Sequence, residues 1–190
     1  MPTGGLTADE QKALLRLARQ ALEGSVQSQP WGRLELSSLP PRLQENGASF
    51  VTLTIAGELR GCIGTLEPYQ PLAEDVCEHA MAAALEDPRF PPVRPAELPV
   101  ISIEVSRLTQ PVPLEYCSAE DLLAKLRPHV DGVIVRDGIQ RATFLPQVWE
   151  KIPEPAAFMD NLCYKMGADP KLWRRKHLDI QVYEVEEFHE

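Results

Sequence analysis

The sequence predicts an α+β fold of two packed subdomains, each an antiparallel or mixed sheet with flanking helices. They cover about residues 1–112 and 113–190 of one domain spanning 1–190. Three observations carry this. Two strand pairs are joined by glycine-bearing turns, at Ala56-Gly57 and Asp137-Gly138. Each pair is followed by a helical stretch, a proline-containing loop and a further strand. Laying Gly57 over Gly138 also sets Arg60 on Arg141 and Ile63 on Phe144, an echo that fits a duplicated unit.

Each element has its own local warrant. Thr7-Ala8-Asp9-Glu10 is a capping box, and apolar residues at Leu14, Leu15, Ala18, Ala21 and Leu22 continue the helix until Gly24 stops it. Residues 24–46 are polar and turn-rich, with Pro30, Pro40 and Pro41, and read as a long loop anchored by Trp31. Phe50 to Ile55 alternates as a strand. After the motif strand, Pro71 suits a first helical turn, Glu74 and Asp75 suit its positive end, and Pro88 ends the helix after Asp87. Leu72, Val76, Ala80, Ala83 and Ala84 form its stripe, with Cys77 at the edge as core filling.

Phe90 reads as a core anchor under the proline-rich loop. Beyond it, Ile101, Ile103 and Val105 share one face of a strand, and Ser118 caps a short helix carrying Leu122, Leu123 and Leu126. Val133 to Val135 turns at Asp137-Gly138 and returns through Arg141, Thr143 and Phe144 until Pro146. A helix from about Glu154 to Met166 stops at Gly167, and a last strand, Leu178 to Val182, precedes an acidic tail.

Composition narrows the function. Nineteen Lys and Arg against 28 Asp and Glu give a formal charge of −9, which disfavours general nucleic-acid binding. A local basic pocket is still open to Arg60, Arg89 and Arg141. No run is long enough for a membrane span, and the first residues lack the basic and apolar regions of a secretory signal, so a cytoplasmic location is expected. The four cysteines, Cys62, Cys77, Cys117 and Cys163, are widely spaced and fit a reduced thiol state. Neither they nor the scattered histidines show metal-ligand spacing, so no metal and no cofactor are expected.

The segment Arg60-Gly61-Cys62-Ile63-Gly64 is the most informative. Two glycines inside a strand mark a bulge or a close approach. Alternation sends Arg60, Cys62 and Gly64 to one face and Leu59, Gly61 and Ile63 to the other. A cation beside a thiol favours the nucleophilic thiolate. In that reading Cys62 and Arg60 are candidate catalytic groups. Arg89 assists, Asp87 orients an arginine, and Gly61 and Gly64 let a substrate approach. In the competing reading Cys62 is a small strand residue and the glycines admit a packed neighbour. Register separates the two. A two-residue loop at Ala56-Gly57 places Cys62 across from Val51 on the apolar face, whereas a three-residue loop moves it to the face of Thr52 and Thr54. The nearest histidine by number, His79, lies well off the centre of its helix's buried stripe and makes a poor general base.

With Leu59-Arg60-Gly61-Cys62-Ile63-Gly64-Thr65, the chain carries Asp87-Pro88-Arg89-Phe90-Pro91-Pro92. It also carries Glu97-Leu98-Pro99 before a strand ending Val105-Ser106-Arg107-Leu108, and Ala142-Thr143-Phe144-Leu145-Pro146-Gln147-Val148. In these four segments, in this order, it resembles the AMMECR family, the A component of the AmmeMemoRadiSam system, from the first helix to about Phe188. The resemblance implies two packed α+β subdomains and association with a Memo-like protein and a radical-SAM enzyme.

Three functional readings follow. The first is an accessory, scaffold or substrate-binding component that uses Gly61, Gly64, Asp87, Arg89, Arg141 and Thr143 for recognition. The second is a thiol enzyme with Cys62 as nucleophile or redox group. The third is nucleic-acid binding through a local patch.

Overall fold

The capped N-terminal helix forms where the sequence places it. In the computed structural model, which describes residues 5–29, 32 and 34–190, α1 runs Ala8–Val26 with both hydrogen bonds of the Thr7/Glu10 capping box in place. It passes through Gly24, so that glycine does not stop it. The Trp31 anchor lies outside the described residues. The rest of the expected loop contains a 3₁₀ turn at Leu36–Ser38 and a short helix, α2, at Pro41–Gln44.

The chain divides into two compact units, one formed by residues up to Leu108 together with Glu186–Glu190, the other by Thr109–Val185. In the first, β1 (Asn46–Ile55) and β2 (Glu58–Gly64) form a hairpin through Ala56 and Gly57, both at positive φ. A two-residue strand, β3 (Gln70–Pro71), leads into α3 (Leu72–Leu85). A 3₁₀ turn at Pro95–Val100 then delivers β4 (Ile101–Leu108) to the far side of β1. Helix α1 packs on α3, and α3 on β1 and β2. Leu14, Leu22, Val51, Leu53, Val76, Ile103 and Val105 are fully enclosed; each buried aliphatic side chain of this kind contributes about 1.5–3 kcal/mol.

In the second unit, β5 (Val112–Pro113) and α4 (Ala119–Lys125) precede the hairpin of β6 (Gly132–Asp137) and β7 (Gln140–Phe144). Helices α5 (Pro155–Lys165) and α6 (Leu172–Arg175) follow, then β8 (Asp179–Tyr183). Gly167, at φ +85°, closes α5 as expected. The core centres on Trp149, stacked on Phe158 at 3.7 Å, with Phe144 edge-on to the same ring. The buried Trp149 indole N–H is satisfied by the Asp131 carbonyl at 2.7 Å.

The expected repeat appears as topology. The strand order β2-β1-β4 in one sheet matches β7-β6-β8 in the other, each with a helix between hairpin and third strand. The acidic tail differs from expectation. It forms β9 (Val185–His189), which extends the first sheet beyond β4 and buries Phe188. Alternation of Val185 with the charged residues is too weak a signal to separate an edge strand from a tail.

Candidate functional site

The register around the motif takes neither of the two simple routes. The turn is two residues long, with Ile55 paired to Glu58, yet Cys62 pairs with Thr52. A bulge reconciles them: Thr54 faces Leu59 and Leu53 faces Gly61, leaving Arg60 as the extra residue. Cys62 therefore lies on the Thr52 and Glu104 face, and the Thr52 hydroxyl donates to its sulfur at 3.2 Å. The strict alternation expected of the motif fails at the same point. Leu59 falls opposite Thr54 and is 42% exposed, instead of sharing the buried side with Gly61.

Packing accounts for both glycines. A Cβ on Gly61 would sit 2.1 Å from the Ala83 carbonyl oxygen on α3, and one on Gly64 would sit 2.4 Å from the Phe50 ring. The close approaches that the sequence signals are made by a helix backbone and an aromatic ring.

Arg60 is engaged away from the thiol. Its Nε and Nη2 donate to the two oxygens of Glu97 at 2.8 and 3.3 Å, and Glu97 also accepts the Arg94 backbone N–H. These bonds, Arg60's first, pull the Glu97 carboxyl down to about 2. The pair ties the bulge to the 3₁₀ turn before β4, and Arg60 Nη1 is buried there with no hydrogen-bond partner.

Asp87 and Arg89 do meet Cys62. Strand β2 ends the sheet, so one edge of it has no neighbouring strand. The buried Asp87 carboxylate accepts the Cys62 N–H at 2.9 Å, and Arg89 Nη2 donates to the Cys62 carbonyl at 3.2 Å. Arg89 also grips Asp87 through Nε at 3.0 Å and Nη2 at 2.7 Å. That grip, ahead of the opposing effect of burial, holds Asp87 well below the usual carboxylate range. Arg89 is held in its charged form by Asp87 first and, more weakly, by Cys62. Its side chain remains 54% exposed. Phe90 is half-buried with the Arg89 guanidinium 5.5 Å from its ring, and the buried anchor of this loop is Val93.

Two further residues behave differently from expectation or according to it. His79 is buried, with Nδ1 3.2 Å from Asp75 Oδ2, in ion-pair range but without the alignment of a hydrogen bond. It joins Ser49, whose hydroxyl donates to Asp75 at 2.6 Å, in a closed polar cluster inside the first unit. Cys77 is buried as expected, its thiol pushed up to about 12 by burial and secondarily by Glu74.

Arg141 and Thr143 belong to the second unit. Arg141 lies directly across from Arg136; the Thr143 hydroxyl is 3.2 Å from the Tyr183 phenol, and its carbonyl accepts Lys165 Nζ. Sequence reasoning missed Glu97 and Arg136, and held the Thr52 face as one of two alternatives for Cys62. Glu97 sits inside a motif with no visible partner, Arg136 carries no local signal, and the bulged register selects Thr52. Among the described residues, no group of three His, Cys, Asp or Glu side chains is arranged to hold a metal ion, and no helix is long and apolar enough to cross a membrane.

A two-unit α+β protein with a clasped Arg-Gly-Cys strand is the class that this geometry defines. The chain belongs to the AMMECR1 family, whose model matches residues 15–188. It is 40% identical over 188 residues to a protein of Methanothermobacter thermautotrophicus, covering 97% of this chain and 96% of that one. A protein of Thermofilum pendens is 39% identical over 202 residues, covering 97% and 92%. The crystal structure of an uncharacterised protein from Pyrococcus horikoshii superposes with a TM-score of 0.76 at 33% identity, over 97% of this chain and 93% of the other.

Proposed function

We propose that the chain is an accessory, substrate- or partner-binding component whose recognition surface is the clasped edge of β2. Following the AmmeMemoRadiSam resemblance, its partners are a Memo-like protein and a radical-SAM enzyme in the cytoplasm. One observation carries this reading. The Arg89 guanidinium is fixed by both oxygens of a buried carboxylate and donates to the Cys62 carbonyl of β2, yet it is more than half exposed; β2 also carries the exposed Leu59. A charge pre-oriented at low entropic cost suits recognition.

The alternative is a thiol-dependent enzyme using Cys62 as nucleophile or redox group. In its favour, Arg89 is near enough for its charge to be reinforced by Cys62. Against it, the hydrogen-bond partners of Cys62 among the described residues are Thr52, Asp87 and Arg89, with no histidine to serve as base.

The test is capture of purified Memo-like and radical-SAM proteins by the intact chain. Leu59→Asp and Arg89→Ala should each weaken capture, whereas Cys62→Ala should leave it intact. Full capture by both surface variants overturns the recognition reading, and loss of a substrate turnover in Cys62→Ala alone favours the enzyme. Arg60→Ala is unsuitable, because it strips Glu97 of its two-point guanidinium contact and so disturbs the turn before β4.

A further inference from the structure

Helix α1 lines a cavity of about 660 Å³ in the first unit. That volume lies within the range of about 300–1,000 Å³ in which small ligands are held. Lys12, Leu15, Arg16 and Arg19 face it from the helix, with Asp9 one turn earlier and Glu190 following β9. Positions 12, 15, 16 and 19 recur at helical spacing, so their side chains share one side of α1. Leu15 belongs to the core of the unit and supplies the apolar part of the lining.

The three cations of the lining are in different states. Arg19 is fully engaged. Its Nη1 donates to the Leu98 carbonyl at 3.3 Å, its Nη2 to the Ile101 carbonyl at 2.8 Å, and Nε and Nη2 both reach the Glu190 carboxylate. Glu190 in turn accepts the Ile103 N–H at 3.2 Å. One wall of the cavity is therefore fixed before any ligand arrives. Lys12 and Arg16 are exposed, and among the described residues their side chains make no hydrogen bond or ion pair. They stand one turn apart, a spacing at which like charges destabilise a helix. Asp9, three residues before Lys12, does not pair with it, and Glu190 is committed to Arg19. In a chain of net charge −9, two unneutralised cations on one cavity are not explained by a shortage of acids.

We infer that this cavity binds a small amphiphilic anion, its charged head between Lys12 and Arg16 and its apolar body over Leu15. The planar Arg16 fork suits a carboxylate or phosphate in two-point contact, and Lys12 adds a point charge. The head relieves the repulsion between the two cations. Leu15 and the methylene stems of the long side chains cover the carbon body. This inference is independent of the β2 recognition surface, and either stands if the other fails.

The experiment is a calorimetric titration of the full chain with hexanoate, hexyl phosphate and hexanol, each separately, at constant ionic strength set by chloride. Saturable binding of at least one anion is expected, and the tighter of the two assigns the head group. Hexanol, which lacks the charge, should bind about tenfold more weakly or worse. Lys12→Gln and Arg16→Gln should each weaken binding of that anion, and the double variant about tenfold or more. Both positions are exposed and glutamine is a good helix former, so the variants keep the fold, which circular dichroism checks. Lys151→Gln, at an exposed position in the second unit, should bind as the parent does. The inference is overturned if neither anion binds saturably above the chloride control, or if hexanol binds as tightly as the anions. It is equally overturned if the double variant binds as the parent does, or if Lys151→Gln weakens binding as much as the α1 variants.

Discussion

The Asp87 carboxylate accepts the Cys62 backbone N–H at 2.9 Å, across the edge of β2 that has no neighbouring strand. With Arg89 on the Cys62 carbonyl, an Asp-x-Arg turn does the work of one residue of an adjacent strand, satisfying a donor and an acceptor that an edge otherwise leaves open. The motif strand is thereby held in place at the residue that carries its thiol.

Asp87→Asn should test that clasp. It keeps the shape but removes the charge that Arg89 grips and turns one acceptor into a donor facing the Cys62 N–H. A loss of about 2 kcal/mol is expected from urea denaturation, with the slope unchanged.

Acid should weaken the first unit through its depressed carboxyls. Glu97 falls from an ordinary 4.5 to about 2 in the folded chain, chiefly through Arg60, and Asp87 is depressed through Arg89. Because their folded values lie below their unfolded ones, both groups contribute stability above the unfolded value. The unfolded chain takes up protons first as pH falls, and for Glu97 that contribution disappears between about 4.5 and 2. Glu97→Gln should show a flatter acid limb across that window in pH-dependent denaturation, besides lower stability at neutral pH. An unchanged limb would refute the linkage.

The glycines should separate sharply on substitution. Gly61→Ala forces a methyl to 2.1 Å from the Ala83 carbonyl, and a penalty of roughly 3 kcal/mol or failure to fold is expected. Gly57→Ala meets no atom within 4 Å and suffers only its φ of +82°, for about 1 kcal/mol. Comparing melting temperatures of the two variants checks the contrast.

Ser49→Ala should reach the closed cluster. It removes the hydroxyl that donates at 2.6 Å to the fully buried Asp75, whose other oxygen already lacks a partner. About 2 kcal/mol of stability should be lost in chemical denaturation.

Thiol labelling should follow burial. Iodoacetamide at neutral pH should modify the exposed Cys117 in the native chain, and Cys77, buried and raised to about 12, only after denaturation. Peptide mass mapping at successive times reads the order.

Much of this was legible because it is local. The Thr7 cap, the two glycine turns, the Leu72-to-Ala84 stripe and the Gly167 stop each depend on residues within a turn or two of one another, where spacing alone sets geometry. The glycines of the motif announced a close approach but not its author, because the Ala83 carbonyl and the Phe50 ring reach them only once helix and strands have packed.

By itself, the sequence determined the fold class, the repeated order of hairpin, helix and strand, and the membership of Cys62, Asp87 and Arg89 in a candidate site. Tertiary structure alone decided that one extra residue, Arg60, turns Cys62 to the Thr52 face, that Glu97 claims Arg60, and that Asp87 and Arg89 reach the backbone of Cys62. The reason is physical. A strand's side-chain period is two residues, so one bulged residue reverses every face beyond it, and the partners of a charge are chosen by distance in space, which local spacing does not encode.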